Sequence, residues 1–277
     1  MSDLTIGGDT DRWMLMSRES ADGYPLIVRA RVNNDFIIDF ETTNAVSAVI
    51  CDLNPDQIQD NGMPTSPALT GLQNLEDLLI SSLSSLQGRC FHTASVTGDG
   101  RRVLYFAHGR GAPISELIDD IDTDIVGIEV TSDFALSTYR EFITPTPLDT
   151  QLDGDRQVVS ALEENGDQPD VPRKVDFWFY GDRLKLQLLV AKLAKLGFEV
   201  DHWLNDPSGV VLNRLMAIQI AAFYELTPQL LDLAQESGVE YDGWETFAAT
   251  PGNNSPRREP PAKPPSFLNK LFGAKKN

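Results

Sequence analysis

The stretch Val175-Asp176-Phe177-Trp178-Phe179-Tyr180-Gly181-Asp182-Arg183-Leu184, continuing to Leu196-Gly197-Phe198-Glu199-Val200, decides how this chain folds. Val175 to Tyr180 has the β-branched and aromatic content of a strand. Asp182 supplies an N-cap for a helix on which Leu184, Leu188, Leu189, Lys192 and Leu196 track one side, and Gly197 ends it. Phe198 to Leu204 predicts a second strand, and Val210 to Ile220 a third beyond the turn residues Asn205-Asp206-Pro207-Ser208-Gly209. Thr227-Pro228 predicts the start of another helix, with Leu230, Leu231, Leu233 and Ala234 inward and Gly238 as its stop. Glu240 to Trp244 then closes the sheet. Strand, helix, strand, strand, helix, strand is the split βαβ order of a ferredoxin-like domain.

Upstream, Arg156 to Glu164 predicts a short helix stopped by Asn165-Gly166. Residues 143–155, with Pro145, Pro147, Asp149, Asp153, Gly154 and Asp155, break the periodicity and predict a linker. On its N-terminal side the same order recurs. Ala45 to Cys51 is strand-like, and Ser66-Pro67 opens a helix on which Leu69, Leu72, Leu75, Leu79, Leu83 and Leu86 recur at three- and four-residue spacing before Gly88. Cys90 to Thr97 and Arg102 to His108 form a hairpin around Gly98-Asp99-Gly100. A helix from Pro113 to Asp119 and a strand from Ile125 to Thr131 complete this unit. Ahead of it, Trp13 to Ser17 and Leu26 to Arg31 predict a hairpin joined by Asp22-Gly23-Tyr24-Pro25, and Phe36 to Phe40 continues in extended character.

The fold class expected is therefore α+β: two ferredoxin-like (split βαβ) domains with antiparallel sheets, the first extended by a hairpin, followed by a disordered tail. The boundaries are residues 1–142, linker 143–155, 156–250 and tail 251–277. A length of 277 residues agrees with two domains, each large enough to bury a core without disulfides or a metal.

The chain has 41 acidic and 23 basic residues, a net charge of −18. Residues 251–277 hold six basic side chains and one acidic, a net +5, so residues 1–250 carry 17 − 40 = −23. An acidic body repels phosphates, which argues against direct nucleic-acid binding and for a basic protein partner. The tail also holds six of the 17 prolines, a composition that buries too little apolar surface to offset its ordering entropy. Within it Phe267, Leu268, Leu271 and Phe272 fall in a ~140° arc of a short helix capped by Ser266, with Asn269 and Lys270 outside. This run suits weak peripheral contact with anionic lipid, docking into a partner's groove, or no role at all. The N-terminus lacks a basic region and an apolar run, so a cytoplasmic location is expected, with peripheral membrane association only under the lipid reading of the tail.

Catalytic constellations are scarce. His92, His108 and His202 are the three histidines, and none has metal-ligand spacing. Each lies in or beside a strand, where a hydrogen-bonded structural imidazole is the plain interpretation. Cys51 and Cys90 lack a CxxC or Cys/His spacing and predict buried, reduced thiols. No metal site and no cofactor is expected. Gly109-Arg110-Gly111 before the helix at Pro113 offers either an anion cradle or an ordinary strand-to-helix turn. An enzyme would require a polar pocket near His108 and Arg110.

The run Glu240-Tyr241-Asp242-Gly243-Trp244-Glu245 has two readings. In one, Tyr241 and Trp244 fall on opposite faces of the closing strand, Trp244 packs the sheet onto its helices and Gly243 permits a bulge. In the other, Glu240, Asp242 and Glu245 present a charged strip, flanked by aromatics, to an Arg-rich protein segment.

Residues 233–245, Leu-Ala-Gln-Glu-Ser-Gly-Val-Glu-Tyr-Asp-Gly-Trp-Glu, resemble the end of the bacterial regulator of ribonuclease E activity, protein B. The resemblance runs back through Leu162 to Asp167, the strand at Trp178 and the helix exit Leu196 to Val200, and covers about residues 155–248. It implies a ferredoxin-like fold, no catalytic activity, and inhibition of the endoribonuclease by direct protein contact. The family's long acidic C-terminal extension is replaced here by a basic, Pro-rich tail. The N-terminal half resembles an uncharacterised bacterial domain often fused ahead of that regulator, through Trp13, residues 22–26, Asn61-Gly62-Met63-Pro64, Leu75-Glu76-Asp77 and Tyr105. The tail run Phe267-Leu268-Asn269-Lys270-Leu271-Phe272-Gly273 is similar to the C-terminal membrane-targeting helix of the bacterial cell-division ATPases. The resulting expectation is a non-enzymatic regulator of ribonuclease E or a similar RNA-processing protein. An adaptor recruited to a membrane or a partner by its tail is the alternative.

Overall fold

The computed structural model describes residues 12–32, 39–41, 44–84, 90–119, 127–133 and 135–249. The chain divides into two compact units between Pro145 and Thr146.

The N-terminal unit contains strands β1 (Arg12–Glu19), β2 (Pro25–Val32), β3 (Ala45–Asp52), β4 (Cys90–Gly98), β5 (Arg101–His108) and β6 (Ile128–Thr131), with helices α1 (Ser66–Ser84), α2 (Ile114–Asp119) and α3 (Leu136–Ile143). The six strands form one sheet in the order β1-β2-β4-β5-β3-β6, and every pairing in it is antiparallel. Its inner part, β6-β3-β5-β4, has the expected split βαβ order, and the N-terminal hairpin adds β2 to the free edge of β4. Asp99 and Gly100 both take left-handed backbone angles (φ 52° and 72°), the pair a tight β4–β5 turn requires.

Two cores flank this sheet. On one face Leu72, Leu75, Leu79 and Leu83 of α1 pack with Val49, Leu104 and Phe106, whereas Leu69 faces solvent. On the other, Met14, Met16, Val28, Val46 and Val96 pack against Tyr139 of α3, a helix that periodicity does not reveal. Both faces being covered explains why β4 is buried along all nine residues. Asp39 to Glu41 are helical rather than extended, while residues 36–38, Leu86 and Gly88 lie outside the described residues.

The C-terminal unit contains α4 (Pro147–Glu164), β7 (Arg173–Tyr180), α5 (Arg183–Leu193), β8 (Glu199–Asn205), β9 (Ser208–Met216), α6 (Ile220–Ser237) and β10 (Glu240–Glu245). Its sheet order β10-β7-β9-β8, again all antiparallel, is that of a ferredoxin-like domain. Val159, Leu186, Leu189, Leu193, Phe223 and Leu230 bring all three helices onto one face of the sheet, over Val175, Phe177 and Phe179.

Three expectations are corrected here. The linker at 143–155 is largely helix: Thr146 and Asp149 form a capping box, Pro147 occupies the first turn, and α4 runs on through Gly154. Its carboxylates have the composition of a loop, yet Asp149, Asp153 and Asp155 are buried and each is hydrogen-bonded. The second correction concerns α6, which starts at Ile220, so that β9 ends at Met216 and Pro228 sits inside the helix. Burial of Phe223 and Leu226 outweighs the backbone bond that Pro228 removes. On α5 the buried stripe is Leu186, Leu189 and Leu193, whereas Leu184 and Leu188 are 70% and 65% exposed. Leucines surround this helix, so spacing alone does not choose the inward face. The Asp182 cap is as expected, accepting from the N–H groups of Leu184 and Lys185.

Candidate functional site

The closing strand β10 is an edge of the C-terminal sheet. Glu240 opposes Tyr180 and Tyr241 opposes Phe179, but the register then shifts, and Trp244 opposes Phe177. Gly243 makes this bulge, with φ 96° and a backbone so close to Gln151 that a Cβ would lie 3.1 Å from its Nε2. One extra residue reverses the alternation. Tyr241 and Trp244 therefore both face the core, instead of opposite sides, and both are buried.

Trp244 is fixed twice. Its ring stacks on Phe223 at 4.3 Å and 11°, and its Nε1 donates to Asp155 Oδ1 at 2.8 Å. Thr227 Oγ1 donates to the other carboxylate oxygen at 2.6 Å. Burial pushes the Asp155 carboxyl above its ordinary range, and these two hydrogen bonds pull in the opposite direction. Asp155 and Thr227 thus lock β10 onto α4 and α6, and nothing in the sequence spacing marks them.

With Tyr241, Gly243 and Trp244 committed to the core and the bulge, the surface of β10 is left to Glu240, Asp242 and Glu245. They gather around Tyr180, whose phenol is raised first by burial and then by the charges of Asp242, Glu240 and Glu245. Strand alternation puts Lys174, Asp176, Trp178 and Tyr180 on the same helix-free face. Lys174 Nζ bridges Asp176 at 3.1 Å and Asp201 at 2.5 Å, and His202 meets Trp178 edge-on at 6.1 Å. The result is a sheet face with aromatic rings at its centre and a row of carboxylates along the β10 edge. Such a face suits guanidinium and ammonium groups, which form charge-assisted bonds to carboxylates.

The other candidate chemistry is not assembled. His108 is buried with both ring nitrogens engaged, Nε2 with Ser47 Oγ at 2.8 Å and Nδ1 with Gly109 O at 2.9 Å. Gly109-Arg110-Gly111 is an ordinary turn in which Ala112 N–H donates to Gly109 O. His92 is buried, bonds Ala94 O, and is driven down to about 3 by burial and by Arg29 and Arg31. Cys51 and Cys90 are buried thiols pushed up to about 12. Among the described residues no cluster of His, Cys, Asp or Glu could hold a metal ion, and no helix is long and apolar enough to cross a membrane. Phe267, Leu268, Lys270, Leu271 and Phe272 lie outside the described residues.

A model of the family described as Regulator of ribonuclease activity B matches residues 152–246, from within α4 to just past β10. The protein of that name from Xenorhabdus nematophila is 29% identical over 123 residues, which are 42% of this chain and 86% of that protein. Its Escherichia coli counterpart is 28% identical over 115 residues, 39% of this chain and 83% of that protein. That of Pseudoalteromonas atlantica is 29% identical over 102 residues, 33% and 86%. The lock of Asp155, Thr227 and Trp244 and the acidic edge above it both fall within the matched span, and it is this C-terminal domain that the chain shares with the regulator of ribonuclease activity B family.

Proposed function

We propose that the chain is a non-enzymatic regulator whose C-terminal unit binds ribonuclease E or a similar RNA-processing protein and lowers its activity by direct contact. The observation that carries this reading is the carboxylate strip of exposed Glu240 with half-buried Asp242 and Glu245 on a domain whose relatives are named regulators of ribonuclease activity. Proteins that handle RNA carry basic segments, because phosphate neutralisation dominates their affinity. An acidic edge beside Tyr180 competes for such a segment as RNA does, by charge. Buried Tyr241 and Trp244 support the strip and touch no partner.

Co-purification of the tagged full chain from its host tests this, alongside the double variant Glu240→Lys, Asp242→Lys. The reading predicts capture of a ribonuclease by the wild type and a drop of at least tenfold for the variant, with a cooperative thermal melt of the variant showing that it is folded. Capture that ignores the charge reversal contradicts it.

A further inference from the structure

A second surface of the C-terminal unit is a groove at the end of β9. Leu196, Met216, Ala217, Ala222 and Leu226 line a groove of about 330 Å³ between the exit of α5, the end of β9 and the first turns of α6. An adjoining hollow of about 320 Å³ shares Leu196 and Arg214 with it and adds Leu215 and Glu199. Leu196, 38% exposed, lines both hollows, whereas Leu215 pairs with Lys174 and so points to the helix-free face of the sheet. A half-exposed leucine at the junction of two hollows, with Met216 and Ala217 beside it, leaves an apolar surface without a partner among the described residues. Glu199 and Glu225 stand at its margin, and the lining cation, Arg214, lies over the ring of Phe198 at 5.5 Å.

The chain leaves the described structure beside this groove. Ala249 N–H donates to Asp167 Oδ1 and Ala249 O accepts from Gln168 N–H at 3.0 Å. Asp167 is gripped by Arg173, which pairs in register with Met216 of the groove, and Ile218 N–H donates to Pro169 O. Residues 250–265 then connect to Ser266, and sixteen residues at up to ~3.3 Å each reach well past the groove. Beyond Ser266 the sequence carries the apolar arc of Phe267, Leu268, Leu271 and Phe272 with Lys270, Lys275 and Lys276 beside it.

We infer that residues 266–272 dock into this groove of their own chain. The four apolar side chains cover Leu196, Met216, Ala217 and Ala222, and the lysines meet Glu199, Glu225 and the acidic body beyond. A short amphipathic segment has weak affinity by itself, but tethering presents it at an effective concentration in the millimolar range. Docking is then the resting state of the tail, and the same apolar arc is withheld from lipid or from another protein.

Hydrogen–deuterium exchange on the intact chain tests the docking, comparing wild type with Leu196→Asp and with Phe267→Ala, Phe272→Ala. Leu196 lines both hollows and lies outside the buried core, so its replacement leaves the fold standing. An added carboxylate also strengthens any unspecific attraction to a basic tail, so release in this variant reports apolar seating alone. The docked tail predicts amides 267–272 exchanging at least tenfold slower than an unstructured chain, with that protection lost in both variants. Groove amides 215–218 should exchange faster in the tail variant. Tail exchange at the unstructured rate, protection that survives Leu196→Asp, or protection that appears only with phosphatidylglycerol vesicles overturns the inference.

Discussion

Asp155 shows what a single residue does for the acidic edge. Its two carboxylate oxygens accept from Trp244 and Thr227, so Asp155→Ala leaves two buried donors unsatisfied and is expected to cost about 1–3 kcal/mol, read as a fall in denaturant midpoint. Asp155→Asn retains an acceptor for Trp244 and should cost clearly less; equal losses would contradict the hydrogen-bond account. Asp167 behaves oppositely with pH. Burial alone raises its carboxyl, but hydrogen bonds from Arg173 and from the N–H of Ala249 outweigh this and hold it below the usual carboxylate range. A depressed pKa means stability that is present above the ordinary value near 4 and lost as pH falls through the folded one. The wild type should therefore lose stability on acidification below about pH 4 more steeply than Asp167→Asn, measured by thermal melts across pH 2 to 6.

At the scale of elements, α4 carries the clearest difference between expectation and structure. Gly154 lies mid-helix with nothing within 4 Å of where a Cβ would stand. Gly154→Ala should thus stabilise the protein by about 0.5–1 kcal/mol, whereas a substitution in a linker would change little. Strands and turns are legible in the sequence because their signals are local: the Asp99-Gly100 turn, the Asp182 cap and the aromatic run of β7 each act through neighbours along the chain. Helices decided by tertiary burial are not. Asp155 of α4 reads as loop until Thr227 and Trp244 supply partners more than seventy residues away. Pro228 reads as a helix start until Phe223 and Leu226 are seen in the core. Likewise, Gly243 suggests a bulge, but only the register shows that it turns Trp244 to the same side as Tyr241 and leaves the outer surface to the carboxylates.

For the whole molecule, the net charge of −18 sums an acidic body of −23 and a tail of +5. Two units of related topology treat their sheets differently. The N-terminal sheet is covered on both faces, whereas the C-terminal sheet carries helices on one face and carboxylates and aromatic rings on the other. That open face, in the unit matched to ribonuclease regulators, is where the regulatory contact is proposed. A contact made by charge weakens with ionic strength, because exposed pairs are screened over about 8–10 Å at physiological salt. The most direct measurement is the rate at which purified ribonuclease E cleaves a defined RNA with increasing amounts of the full chain or of its Glu240→Lys, Asp242→Lys variant. The account predicts inhibition by the wild type that fades between low and high salt and is at least tenfold weaker for the variant. Equal inhibition by both proteins, or none by the wild type at any salt, would contradict it.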